Sequence, residues 1–280
     1  SVACIASEFH LDAASIQAAL LHDVVEDTPS TGDDIKKKFG SQVAKLVDGL
    51  SKLDKVHFAD DTEAQAENFR KMLLAMSQDV RVILIKLADR LHNMQTLEPL
   101  KPSKRKKISQ ETTDIYAPIA NRLGLNNVYQ ELEDLSFKYI HPLRYKTITK
   151  AIVASRGNRK EIIEKTLIAI KDKLETSGIK AEITGREKNS ASIHRKMLNK
   201  HTNFSQINDI YGFRIVVSEF NECYLTLGDL HSLYKPIPGK FKDYIAIPKA
   251  NGYQSLHTTL FGPFGMPFEI QIRSENMHKL

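Results

Sequence analysis

The stretch GKFKDYIAIPKANGYQSLHTTLFGPFGMPFEIQIR, residues 239–273, decides how the C-terminal half of this 280-residue chain is read. Its last segment alternates at the two-residue period of a strand. Phe268, Ile270 and Ile272 fall on one side, and Glu269, Gln271 and Arg273 on the other. The apolar side suits a core. The opposite side sets a carboxylate, an amide and a guanidinium next to one another, which is more than solubility asks of an outer face. Upstream, Lys240, Lys242 and Lys249 bring positive charge, and Tyr253 sits in the turn signal Asn251-Gly252-Tyr253-Gln254. Cations, a ring to stack on and a metal-competent carboxylate suit a nucleotide with a phosphate chain, although no Walker-type loop is present. The plainer alternative is an amphipathic hairpin with a solvated basic loop.

Outside this stretch the chain divides by pattern. Residues 1 to about 137 read as helix after helix, with breaks at Thr28-Pro29-Ser30, at Phe39-Gly40-Ser41 and around Pro99 and Pro102. Thr31 with Asp34 forms a capping-box signal, and Gly40 stands where a glycine ends that short helix. The run KPSKRKK, residues 101–107, reads as a solvated helix start. His141-Pro142 and Arg156-Gly157-Asn158-Arg159 mark a junction, followed by a helix over 160–176. Strands are expected at 181–184, 212–217, 244–247, 255–261 and 268–272. Helices first and then a mixed α+β unit imply two domains in series: residues 1–140, a junction at 141–160, and residues 161–280 with a mixed sheet. The length suits two cores of ordinary size.

Composition narrows the setting. A net charge of +6 suits anionic ligands but is too dilute to argue for nucleic acid, and no direct nucleic-acid binding is expected. Cys4 and Cys223 lie far apart without metal-type spacing, so reduced thiols are expected. No apolar run approaches a membrane span, and nothing at the N-terminus resembles a signal peptide. The chain opens in what already reads as a helix and stops without a terminator, so it is expected to be part of a longer protein.

A second cluster lies among the helices. LLHDVVEDTP places His22 and Asp23 together near the end of a helix begun by residues 13–21, with Glu26 one turn beyond His22 and Asp27 one turn beyond Asp23. In DVRVILIKLADRLHNMQTL, Asp89, Asn93 and Thr96 form one stripe at i, i+4 and i+7. Such acidic residues are costly among Ile16, Ala19, Leu20 and Leu21 unless a cation compensates them. One histidine, two aspartates and a nearby carboxylate pair suit a hard or borderline divalent ion. Mn²⁺ is favoured over Zn²⁺ because no thiolate takes part.

KFKDYIAIPKANGYQSLHT followed by EIQIR resembles the synthetase domain of RelA/SpoT homologues, which make and destroy the alarmones ppGpp and pppGpp in the bacterial stringent response. Lys240-Phe241-Lys242-Asp243 is similar to the basic R-x-K-D version of bifunctional, SpoT-type members. LLHDVVEDT, the run AQAENFRKMLLAMSQDVRVILIKLADRLHNM and IYAPIANRLG look like the same family's HD-type hydrolase domain, with the HD pair kept. The resemblance implies a helical HD-type hydrolase domain followed by a nucleotidyltransferase-like synthetase domain, in the bacterial cytoplasm, with regulatory partners bound to a missing C-terminal region.

By position, the resemblance implies that His22, Asp23 and Asp89 ligate Mn²⁺. Glu26 and Asp27 would position and deprotonate the attacking water, with Asn93 and Thr96 on the nucleotide. In the second domain Arg186 and Arg214 would flank the adenine of ATP, with Lys188 and Lys196 on its phosphates. Asp209 and Glu269 would share Mg²⁺, and Glu269 would take the proton of the attacking 3′-hydroxyl of GDP or GTP. Tyr253 would stack on guanine, while Lys242, Lys249 and His257 would hold the acceptor's phosphates.

Two departures stand out. The family's first metal-ligating histidine lies before the segment matching Ser1, and His10 falls at a variable helix end. Ala191 and His194 replace two rings of the family pattern, which is expected to loosen the adenine pocket and weaken synthesis. Two other functions fit these residues: a general HD nucleotidase, and a regulatory module that senses GDP, GTP or ATP without chemistry.

Overall fold

A computed structural model describes residues 1–54, 79–157, 160–204, 207 and 210–279. It divides into two compact units, Ser1–Ala120 with Asn127–Ile140, and Asn121–Asn126 with His141–Leu280.

In its described residues the first unit is all helix: α1 Val2–Glu8, α2 Ala13–Leu20, α3 Val24–Asp27, α4 Gly32–Phe39, α5 Ser41–Asp54, α6 Val80–Gln95, α7 Pro102–Glu111, a π-helical turn Thr112–Tyr116, α8 Ala117–Arg122 and α9 Asn126–Ile140. The expected capping box is present on α4: Thr31 Oγ1 accepts from Asp34 N, Asp34 reaches back to Thr31 N, and Gly40 closes the helix at φ 88°. The basic run 101–107 is the exposed start of α7. Residues 64–78, the first part of the quoted run that ends at Met94, lie outside the described residues.

Two helices matter most, and one arginine pairs with the N-caps of both. Asp12 caps α2 by accepting from Ser15 N at 2.9 Å, and Asp79 caps α6 by accepting from Arg81 N at 3.0 Å. Arg81 then ties the caps together, with Nη1 on Asp12 at 2.7 Å and Nη2 on Asp79 at 2.6 Å. Ten residues on from each cap stand His22 and Asp89, the latter about 15 Å along the continuous α6 at helical rise. Between clamp and site, α6 buries Val82, Ile83, Ile85, Leu87 and Ala88. Gly49 of α5 makes room for this, since a Cβ there would stand 2.9 Å from Val82 Cγ2.

The second unit begins with α10 Pro142–Gly157 and α11 Lys160–Thr176. The expected junction at 141–160 is therefore mostly helix, because Pro142 sits at its first position, where a missing N–H costs nothing. There follow β1 Ala181–Glu187, α12 Ser190–Lys200, β2 Tyr211–Val217, α13 Phe220–Leu233, β3 Lys242–Asp243, β4 Leu256–Phe261, β5 Pro267–Ser274 and α14 Glu275–Lys279. The sheet order is β1-β2-β5-β4-β3, antiparallel except for the β2–β5 pair. One face, with Phe213, Ile215, Leu256, Leu260, Phe268, Ile270 and Ile272, packs on Ile170 and Leu174 of α11 and Cys223 and Leu230 of α13. At about 25 cal/mol per Å², burying such side chains supplies the drive for this face.

Residues 244–247 are not a strand. The Asp243 carboxylate takes up the N–H groups of Ile245 at 2.9 Å and Ala246 at 2.8 Å, and accepts from the Tyr224 hydroxyl at 3.0 Å. These backbone donors are therefore lost to a sheet ladder, and the chain turns. Strand β1 also runs three residues further than expected, to Glu187.

Candidate functional sites

In the first unit α2 does not carry through to His22. It ends at Leu20, and Asp23 becomes the N-cap residue of the short α3. Asp27 still lies one turn from Asp23, with its N–H on the Asp23 carbonyl at 2.9 Å, but His22 falls in the break. There its Nδ1 donates to the Ala19 carbonyl at 2.9 Å, which leaves Nε2 to face the carboxylates. Nε2 lies 2.9 Å from Asp23 Oδ2 and 3.5 Å from Asp89 Oδ1. Asp89, only 6 % exposed, is also held by Asn93 Nδ2 at 3.0 Å and Lys86 Nζ at 2.9 Å.

Burial pushes the Asp89 carboxyl up, but the His22 hydrogen bond and the Lys86 ammonium outweigh it and hold the group well below the usual carboxylate range. His22 is raised, chiefly by its hydrogen bond to Asp89 against the opposing cost of burial. Glu26 and Asp27 are exposed on α3, and Thr96 caps the end of α6 with its hydroxyl on the His92 carbonyl. Lys86 interrupts the apolar run Val82–Ala88, and its place three residues before Asp89 is the sequence signal for a pair. Arg90 lies over the Tyr116 ring at 4.0 Å and pairs with Glu111 at 3.1 Å, fixing α6 against the π-helical turn.

One imidazole nitrogen and two carboxylates thus converge, which is the donor chemistry of a divalent-ion site. Their arrangement is not that of a completed site. Among the described residues no group of three His, Cys, Asp or Glu stands in a metal-holding arrangement. Asp89 Oδ2 is turned instead to Lys86.

The second site is assembled by strand register. Gly212 and Arg214 on β2 pair with Glu269 and Gln271 on β5, and Thr259 and His257 on β4 pair with the same two residues from the other side. Lys242 pairs with His257, and Arg186 takes the register position opposite Gly212. Pairing partners share a face, so one row collects Arg214, Glu269, Gln271 and His257 opposite the core. As expected, Phe268, Ile270 and Ile272 are buried in the core. Gln271 at 5 % and Arg273 at 8 % exposure are buried as well, so the end of this face is enclosed, while Glu269, His257 and Arg214 are half-buried.

Glu269 is the centre of this row. Lys188 Nζ lies 3.0 Å from Oε2 and His257 Nδ1 3.4 Å from Oε1. Burial pushes its carboxyl up, yet His257 and Lys188 together hold it well below the usual range. His257 is lowered mainly by burial. Lys188 therefore stands on the carboxylate in this structure. Lys249 Nζ lies 4.8 Å from the Tyr244 ring and 4.9 Å from that of Tyr253, and Tyr244, Tyr253 and His257 meet edge to face. Tyr244 was not singled out from sequence. The loop turns at Gly252, φ 77°, whose N–H donates to the Lys249 carbonyl at 2.8 Å. Lys242 is exposed and Lys196 half-buried on α12. Asp209 lies outside the described residues.

The ring replacements in α12 do not leave a hole at position 194. His194 is buried, accepts at Nε2 from Arg144 Nη1 at 2.8 Å, and tilts against His141 with ring centroids 5.6 Å apart. Thr149 and Ser190 join the same two helices, α10 and α12, through hydroxyls 3.1 Å apart.

Residues 1–126 match the family described as an HD domain, and residues 185–280 match the region found in RelA / SpoT proteins. The whole chain is 56% identical over 280 residues to the bifunctional (p)ppGpp synthase/hydrolase SpoT of Escherichia coli K12. This chain belongs to the RelA/SpoT homologue family. The homologue is also 49% identical over 282 residues to the GTP pyrophosphokinase of Myxococcus xanthus. It spans 40% and 37% of the length of these two relatives. A crystal structure of the small alarmone synthetase 1 of Bacillus subtilis bound to its product pppGpp matches 46% of the homologue and 76% of that chain, with 24% identity and a TM-score of 0.40. Among its described residues, no helix of the RelA/SpoT homologue is long and apolar enough to cross a membrane.

Proposed function

We propose that the first unit hydrolyses the 3′-diphosphate of ppGpp and pppGpp to GDP or GTP and pyrophosphate. The second unit, on the same reading, transfers the β,γ-diphosphate of ATP to the 3′-hydroxyl of GDP or GTP, with AMP leaving. The observation that carries the hydrolase is the meeting of His22, Asp23 and Asp89, with His22 Nδ1 committed to Ala19 so that Nε2 faces both carboxylates. The names borne by the two relatives, one a synthase/hydrolase and one a GTP pyrophosphokinase, support the pairing of activities.

His22, Asp23 and Asp89 would hold Mn²⁺, and Asp209 with Glu269 would hold Mg²⁺. When bound, such an ion lowers the pKa of a water and neutralises diphosphate charge. The residues do the rest. Asn93 fixes Asp89 by its hydrogen bond and, with Thr96, faces the nucleotide. Glu26 and Asp27, exposed on α3, orient the water and take its proton.

In the second unit Glu269 accepts the 3′-hydroxyl proton of the acceptor positioned beside it. Lys188, released from Glu269, and Lys196 hold the phosphates of ATP, while Arg186 and Arg214 flank its adenine. Tyr253 offers its ring to guanine, with Lys242 and Lys249 on the acceptor's phosphates, whereas both ring nitrogens of His257 are taken up by Tyr253 and Glu269. Charge neutralisation and alignment account for the catalysis. Both reactions place the protein in the bacterial cytoplasm, where these nucleotides are made and used.

The test is product analysis. The chain is incubated with ppGpp and Mn²⁺, and separately with ATP, GDP and Mg²⁺, and nucleotides are resolved by chromatography. GDP with pyrophosphate in the first reaction and ppGpp with AMP in the second are expected. Asp89→Ala should abolish hydrolysis and weaken Mn²⁺ binding, and an undiminished rate in that variant would refute the assignment of the metal site.

A further inference from the structure

Strand β5 ends its polar row on Arg273, and no step above uses it. The guanidinium is buried, which is costly unless its donors are well spent. Nη2 donates to the Tyr253 hydroxyl at 2.9 Å and to Gln271 Oε1 at 3.2 Å, and the guanidinium carbon lies 5.1 Å from the Tyr253 ring centroid. The same hydroxyl meets His257 Nε2 at 2.8 Å, and His257 Nδ1 faces Glu269 Oε1 at 3.4 Å. Four side chains from β5, the 244–255 loop and β4 therefore form one connected line ending on the carboxylate at the centre of the site.

The donors along it have a fixed sense. A guanidinium only donates, so the Tyr253 oxygen accepts from Arg273. A carboxylate only accepts, so His257 carries a proton on Nδ1. That leaves Nε2 for the phenol's own hydrogen, so both hydrogen bonds point from Arg273 toward the His257–Glu269 contact. Tyr253 also needs the anchor for a second reason. It sits on a loop that turns at Gly252 and has no place in the strand ladder, so β5 reaches its hydroxyl through Arg273.

We propose that Arg273 is a positioning residue for pyrophosphate transfer: by holding the Tyr253 hydroxyl it sets the ring for the guanine base and, through His257, the carboxylate of Glu269. The proposal rests on reading the second unit as a synthetase. Gln271 supports it from the same strand face, where its Oε1 accepts from the same Nη2 at 3.2 Å.

The test uses the 280-residue chain with ATP, GDP and Mg²⁺, measuring kcat, KM for GDP and the thermal midpoint. Tyr253→Phe keeps the ring and removes only the hydroxyl. Its kcat should fall roughly 10- to 100-fold, the usual cost of losing a supporting hydrogen bond, while KM for GDP stays within about twofold. Arg273→Leu should lose at least as much kcat and raise KM as the ring loses its anchor, and Arg273→Lys should recover part of the loss. In the double variant the two kcat losses should not multiply, because both cut the same line. Undiminished kcat in Tyr253→Phe overturns the proposal even if Arg273→Leu does not fold, and so do losses that multiply. A wild-type chain that makes no ppGpp, and binds no GDP by calorimetry, overturns the synthetase reading and the proposal with it. A wild-type chain that is active beside unaffected variants overturns the proposal alone.

Discussion

Gly212→Ala should injure the second unit through one atom. A Cβ at position 212 would stand 2.5 Å from the Glu269 carbonyl oxygen, and ordinary contact begins near 3.4 Å. The obstacle is backbone on both sides, in strands paired in parallel register, so no side chain can swing away. The β2 and β5 backbones must part by about 0.9 Å, the difference between those two distances. Overpacking of this kind costs about 1–3 kcal/mol. At roughly 2–8 °C per kcal/mol for domains of this size range, the melting midpoint should fall by several degrees. Because the displaced residue is Glu269 itself, kcat for ppGpp synthesis should fall about 100-fold, the penalty for an ångström-scale misplacement of a reacting group. Gly185→Ala is the control, since β1 has nothing within 4 Å of the added Cβ there. It should leave midpoint and turnover unchanged. A Gly212→Ala chain with wild-type stability and wild-type synthesis would refute the reasoning.

Two further outcomes follow from buried charges and rings. Lys86→Met strips the partner from a nearly enclosed Asp89, so the first unit should lose about 3–5 kcal/mol without added metal, and Mn²⁺ should restore more stability to the variant than it adds to wild type. Melting curves with and without Mn²⁺ decide it, and equal Mn²⁺ shifts would speak against Asp89 as a ligand. His194 is held below its ordinary pKa by burial and by the nearby Arg144 and His141 charges, so the unfolded chain takes up that proton first. Its contribution to stability is complete above the ordinary value of 6.5 and is lost as pH falls from there through the lower folded value. His194→Phe should flatten the loss of thermal midpoint between pH 7.5 and 5.5 without removing it, because His231, His257 and His278 are depressed as well. An unchanged slope would remove His194 from the account.

What was legible in the sequence was whatever depends on neighbours along the chain. The alternation from Phe268 to Ile272, the capping box at Thr31 and Asp34, and the helix over 160–176 are local patterns, and local hydrogen bonding and burial enforce them. The helix break at His22 was missed for the converse reason. Nothing in LLHDVVEDT forbids a continued helix, and the turn exists so that His22 can reach both the Ala19 carbonyl and Asp89, a residue 67 positions away. Residues 244–247 carry strand propensity, but the Asp243 carboxylate captures the backbone donors of Ile245 and Ala246 while being held by Tyr224 of α13. Tertiary context overrides propensity there.

The site itself shows the same division. His22, Asp23, Asp89, Glu269, His257 and Tyr253 were singled out because resemblance and residue type mark groups able to do chemistry. Lys86, Arg144 and Arg273 were passed over or left without a role because a buried cation looks like any surface lysine or arginine until its partners are placed. Gly212 is the clearest instance. Its sequence neighbourhood, Ile210-Tyr211-Gly212-Phe213, reads as a strand weakened by a glycine, and propensity alone would favour replacing it. The reason for the glycine lies in β5, whose carbonyl at Glu269 approaches too closely for any side chain. The close approach that demands the glycine also places the carboxylate beside β2, where Lys188 and His257 reach it. A substitution that improves the strand in isolation therefore acts against the site the strand is there to build.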